Sequence, residues 1–85
     1  MKRIMIGDCK AEWEAFLREA QEGGKVSAES IGDIDFAGLQ LLAMEARVAS
    51  DLGLAFEPVF EDKAAEMAER MRFKEAIQAA KGASR

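Results

Sequence analysis

Three side chains have the chemistry and the placement to take part in a reaction: Asp33 and Asp35, two positions apart, and Cys9, the single cysteine. Two carboxylates at that spacing beside a helix start could hold a magnesium ion together with water, since magnesium asks for hard oxygen ligands. The plainer alternative makes Asp35 structural. Its carboxylate would cap the free N–H groups of the first helical turn, where the helix dipole also favours negative charge, and Asp33 would be solvated. Cys9 falls near the start of a predicted helix, where the dipole could lower its pKa and make the thiol reactive; the plainer alternative is a small, partly buried side chain. The chain has no His and no Tyr. General acid–base work at neutral pH would therefore fall to carboxylates, lysines or Cys9, and the usual nucleophile–base pairs are missing. One cysteine without histidine argues against zinc, and Gly23-Gly24-Lys25 lacks the spacing of a phosphate loop. The chain reads as non-catalytic, with no cofactor and no metal.

The elements that must position these residues alternate. Arg3 to Ile6 is a short apolar strand ended by Gly7-Asp8. From Lys10 to Glu22, Trp13, Phe16, Leu17 and Ala20 recur at helical spacing, and Gly23-Gly24 stops the helix. Lys25 to Ile31 has moderate strand character and leads through Gly32 to Asp35. A central helix follows from Phe36 or Ala37 to Leu52, with Leu39, Leu42, Ala46 and Ala49 as its apolar stripe, Leu41 and Val48 widening it, Asp35 as N-cap and Gly53 as C′ residue. Gly38 lies in its first turn, where glycine costs ~1 kcal/mol relative to alanine, so a close backbone approach to a neighbour or a partner is expected there. Leu54 to Phe60 alternates as a third strand, and Pro58, which cannot donate to a ladder, puts it at a sheet edge or a bend. From Glu61 a helix carries Ala64, Met67, Ala68 and Met71 on one face. The apolar phase then shifts after Arg72 to Phe73, Ile77 and Ala80, which predicts a break and a second short helix.

That order, β-α-β-α-β-α-α, predicts an α/β fold with a small, mainly parallel sheet of three or four strands and about four helices. At 85 residues it is one domain, taken as 1–81 with a disordered tail at 82–85. No apolar run approaches the ~18 residues of a membrane span, and the start reaches Gly7-Asp8 too soon for a signal peptide, so a cytoplasmic location without membrane insertion is expected. Residues 1–69 hold 7 Lys+Arg against 15 Asp+Glu, a net of −8, while 70–85 hold 5 against 1, a net of +4. The acidic body argues against nucleic acid as a partner. The basic tail reads as a solvated face, with contact to acidic lipid or an acidic partner as the alternative.

The run Ile34-Asp35-Phe36-Ala37-Gly38-Leu39-Gln40-Leu41-Leu42, set between a strand and a polar helix to Gly53, resembles the core of a STAS domain, the module shared by sulfate transporters and anti-sigma-factor antagonists. The similarity runs from about Ile4 to Phe73. The family motif is Asp, then Ser or Thr, then a small residue, then Gly-Leu and further apolar residues. This chain departs from it at one position: Phe36 stands where regulated members carry the Ser or Thr that a partner kinase phosphorylates. Two further departures are Ser27, where members carry Asp, and the lack of an extra strand before Arg3.

The resemblance implies a non-catalytic protein-interaction module in bacterial signalling or partner switching, anti-sigma-factor-antagonist-like, whose partner is a kinase-like anti-sigma factor or another signalling protein. An alternative of the same class is the STAS accessory subunit of an ABC-type lipid transporter, docked on its ATPase. An alternative of another class is a small carboxylate-based or metal-dependent enzyme using Asp33, Asp35 and Cys9. The partner-binding residues implied are Asp33, Asp35, Phe36, Ala37, Gly38 and Gln40. No phosphorylation is expected at Phe36, which lacks a hydroxyl. Phe36 itself has two readings, an aromatic folded into the core or an exposed anchor for a partner. The missing N-terminal strand leaves a sheet edge on which a homodimer or a partner strand could pair.

Overall fold

A computed structural model describes residues 2–22, 30–76 and 78. The fold is α/β. Strand β1 (Lys2–Ile4) leads through a 3-10 turn, Ile6–Asp8, into helix α1 (Cys9–Glu22). Strand β2 (Ile31–Ile34), helix α2 (Phe36–Leu52) and helix α3 (Asp62–Arg70) follow, and a further helical turn covers 73–76. β1 and β2 pair in parallel, with Arg3 opposite Asp33 and Ile4 opposite Ile34.

α2 forms as its local signals require. Asp35 caps the start, and Gly53 ends the helix in the left-handed region at φ 72°, its N–H returned to the carbonyls of Ala49 and Ser50. Leu39, Leu42, Ala46 and Ala49 are buried, and Leu41 and Val48 are half-buried beside them. The main core joins this stripe to Ile4, Ile31 and Ile34 of the sheet and to Ala64, Ala68 and Phe73. A second cluster holds Phe16 of α1 against Ala49, with Trp13, Leu17, Leu54 and Phe56 packed around it. Trp13 stacks on Phe16 at 5.6 Å between ring centroids, and Phe56 meets Phe16 edge-on at 5.8 Å.

The strands differ from the expectation. The first ends at Ile4 rather than Ile6, because the next two backbone donors are taken by side chains: Met5 N–H donates to Asp8 and Ile6 N–H to Asp35. The second lies at Ile31–Ile34 rather than Lys25–Ile31, of which 25–29 fall outside the described residues. The third contracts to one parallel bridge between Ile31 and Phe60, anchored by Ile31 N–H to the Val59 carbonyl and Glu61 N–H to the Ile31 carbonyl. Leu54, Phe56 and Phe60 still turn inward as the alternation predicts, but Pro58 offers no donor to continue a ladder. Among the described residues the sheet therefore has two strands instead of three or four, and the Phe60 segment adjoins β2 on the side away from β1.

The expected break after Arg72 is present. α3 stops at Arg70, Arg72 takes φ 53°, and Phe73 turns into the core to meet Phe60 edge-on at 5.1 Å. Met71 consequently leaves the face of α3 and is exposed, while Met67 packs against the core. The Gly23-Gly24 stop, Ile77, Ala80 and the tail 82–85 lie outside the described residues.

Candidate functional site

Asp35 is the pivot of the surface where β2 turns into α2. With an extended backbone at φ −111° it stands before the helix, and its two carboxylate oxygens are divided. Oδ1 accepts from Gly38 N–H at 2.8 Å and Oδ2 from Ile6 N–H at 2.8 Å. One side chain thus ties the start of the 3-10 turn to the start of α2 across 29 residues of sequence. The Asp35 N–H also donates to the Ile4 carbonyl at 3.4 Å. Asp8 braces the other side of the turn, accepting from Met5 N–H at 3.0 Å and from Arg3 Nε at 3.2 Å. The Met5 bond and the Arg3 guanidinium hold the Asp8 carboxyl below the usual carboxylate range.

Gly38 supplies the close approach. A Cβ at this position would collide with the Ile4 carbonyl oxygen and lie 2.6 Å from Ile34 Cγ1, so the first turn of α2 sits directly on the end of β1. Gly38 is buried, and the neighbour it approaches is within the chain. Ala37 is half-buried, Gln40 is exposed one turn along, and Asp33 is half-buried opposite Arg3. Phe36 is 54% exposed, which decides between its two readings: it does not fold into the core. Ile6, whose N–H is held by the same carboxylate, is 76% exposed. The turn therefore presents two large apolar side chains to solvent from a backbone pinned at both ends.

The reaction chemistry is weaker. Both oxygens of Asp35 already accept backbone N–H bonds, the capping role rather than the metal-binding one. Among the described residues no three His, Cys, Asp or Glu side chains gather as a potential ion site. Burial pushes the Cys9 thiol up rather than down, and the charges of Asp35, Asp8, Glu12 and Glu45 add to the effect. Its Sγ donates to the Met5 carbonyl at 3.4 Å. These surroundings favour the plainer reading, in which Cys9 is a half-buried side chain packed against the core.

One residue escaped the sequence reading. Glu45 is fully buried on α2, and among the described residues neither of its oxygens has a hydrogen-bond partner. Burial, followed by the charge of the neighbouring Glu12 carboxylate, pushes the carboxyl up to about 9, against the opposing charge of Lys2. Lys2 Nζ is itself 2.7 Å from Glu12 Oε1. A signal for Glu45 existed: it falls three positions after Leu42 and one before Ala46, on the apolar arc of the helix.

A separate groove of about 750 Å³ has an apolar floor that includes Phe56, Pro58, Phe60 and Phe73. Its charged rim holds the Arg72–Glu75 pair, 3.8 Å apart and largely exposed, an arrangement of little energetic weight. No helix among the described residues is long and apolar enough to cross a membrane. No family model, curated protein or solved structure matches the chain.

Proposed function

We propose that the chain is a non-catalytic, STAS-like protein-interaction module that docks through the turn built on Asp35. The observation that carries this reading is the exposure of Ile6 and Phe36 on a turn held by both oxygens of one carboxylate. Apolar side chains left in solvent on a flexible loop lose much of their binding energy to ordering. On a pre-set turn most of it is kept, and burying one aromatic side chain in a partner pocket supplies roughly 2 kcal/mol or more. Phe36 and Gln40 form the outward contacts of α2, Asp33 and Asp35 make the rim acidic, and Ala37 and Gly38 let the backbone lie close to β1.

The motif from Ile34 to Leu42 supports placing the module among STAS-like domains, as does the parallel β1–β2 pair with Phe60 bridged to the far side of β2. The finer reading, a STAS sheet of three or four strands, belongs to this proposal. On this reading the partner is a kinase-like anti-sigma factor or another bacterial signalling protein in the cytoplasm. A transporter ATPase is the alternative, and the protein recovered by capture distinguishes them. Phe36 replaces the phosphorylated Ser or Thr, so docking is constitutive and is controlled by the supply of partner. Among the described residues β1 pairs with β2 alone, so pairing of a second copy or a partner strand along its other edge belongs to the same proposal. The enzyme alternative is disfavoured by the engaged oxygens of Asp35 and the raised pKa of Cys9.

Affinity capture from the native cell tests the reading. Wild type is expected to recover a specific signalling protein, and Phe36→Asp to lose it while keeping the wild-type circular dichroism spectrum. Equal capture by a folded Phe36→Asp variant would overturn the assignment of this turn. A clean monomer by light scattering at micromolar concentration would remove pairing between two copies.

A further inference from the structure

Glu45 stands out among the ionisable groups because its burial and its carboxylate neighbours oppose ionisation. It is 0% exposed, it lies on the face of α2 that meets the rest of the fold, and among the described residues neither oxygen receives a hydrogen bond. A buried carboxylate without donors is among the least favourable groups a protein can hold, whereas the neutral acid is tolerated. The charged and titratable neighbours reinforce this. From α1, Glu12, Glu19 and the Cys9 thiol lie within its field; from β1 comes Lys2, a cation already 2.7 Å from Glu12. Two carboxylates and desolvation outweigh a shared ammonium.

We propose that Glu45 is a proton-held latch between α1 and α2, which stay packed while this carboxyl is protonated and part when it ionises. As the neutral acid, Glu45 is a possible donor to the Glu12 carboxylate, and the Lys2–Glu12 pair ties the assembly to β1. On ionisation the same place holds two anions against one cation, with the Glu45 carboxylate itself cut off from solvent. The electrostatic balance puts the loss of that proton near pH 9. On the α1 side the joint is held by the second cluster through Phe16, Trp13 and Leu17.

Trp13 makes the release visible. It is the single tryptophan, the chain has no tyrosine, and its ring packs against the Phe16–Ala49 cluster that joins α1 to α2, so its emission responds to the docking of α1. The full chain is titrated from neutral to alkaline pH, with Glu45→Gln and Cys9→Ser measured beside it. A red shift of Trp13 emission with a midpoint near pH 9 is expected for wild type and for Cys9→Ser, and no such transition for Glu45→Gln. An unchanged transition in Glu45→Gln would overturn the latch, as would its loss in Cys9→Ser, which would assign it to the thiol. Carboxyl carbon NMR of the wild-type protein keeps the test decisive if Glu45→Gln does not fold. One glutamate still protonated at neutral pH and titrating near 9 supports the latch, and all glutamates ionised at neutral pH overturns it.

Discussion

Asp35 and Glu45 are the same functional group at the two ends of one argument. Asp35 stands at the mouth of α2, where two backbone donors and the positive end of the helix meet it, and its charge is used to join two element starts. Glu45 stands along the same helix among apolar neighbours, meets another carboxylate, and is kept neutral. The difference lies in which donors reach the group, not in the residue type. It also separates two roles on one helix: the satisfied acid stiffens a surface that faces outward, and the unsatisfied one makes a joint whose strength depends on a proton.

The comparison breaks most severely if the seat of the Asp35 turn is wrong. Gly38→Val is expected to prevent folding, and Gly38→Ala to cost about 3 kcal/mol through overpacking against Ile4 and Ile34, well beyond the ~1 kcal/mol alanine returns in helix propensity. Urea unfolding showing Gly38→Ala as stable as wild type would mean that β1 does not rest on α2.

Glu45→Gln sharpens the other side. An unfolded carboxyl ionises near 4.5 and the folded one near 9, so between these values folding takes up a proton. The stability that Glu45 contributes is fully present below the lower value, falls as pH rises by at most about 1.4 kcal/mol per unit, and is gone above the upper one. The glutamine variant lacks this slope and should gain on wild type steadily from mildly acid to alkaline pH. Parallel stability curves would show that Glu45 is not held neutral by the fold.

Asp35→Ala removes the cap and the Ile6 anchor together, with an expected loss of about 1–2 kcal/mol, and Asp35→Asn, which keeps one acceptor, should lose less. An alanine variant within experimental error of wild type would show that the two bonds do not stiffen the turn. The smallest effect on stability is predicted for Phe36→Ala, within about 0.5 kcal/mol, because an exposed side chain contributes little to the fold. Its effect should instead appear as weakened partner capture. A large loss of stability would return Phe36 to the core.

The sequence by itself determined α2. Asp35, Gly53 and the repeat of Leu39, Leu42, Ala46 and Ala49 are local signals, and each acts within a turn or two of its own position. The break at Arg72 was legible for the same reason, as a shift of phase along one stretch of chain. So was the tension at Gly38, though not that Ile4 was its cause. Only the tertiary structure decided where β1 stops, because the donor that would have extended it goes to a carboxylate 29 residues away. It decided that Leu54 to Phe60 keeps an inward alternation while making a single bridge, since pairing depends on a partner's donors as well as on pattern. It decided that Phe36 faces solvent and that Glu45 does not. For an aromatic and for a carboxylate alike, burial is set by what packs against the helix, and residue type carries only the average outcome.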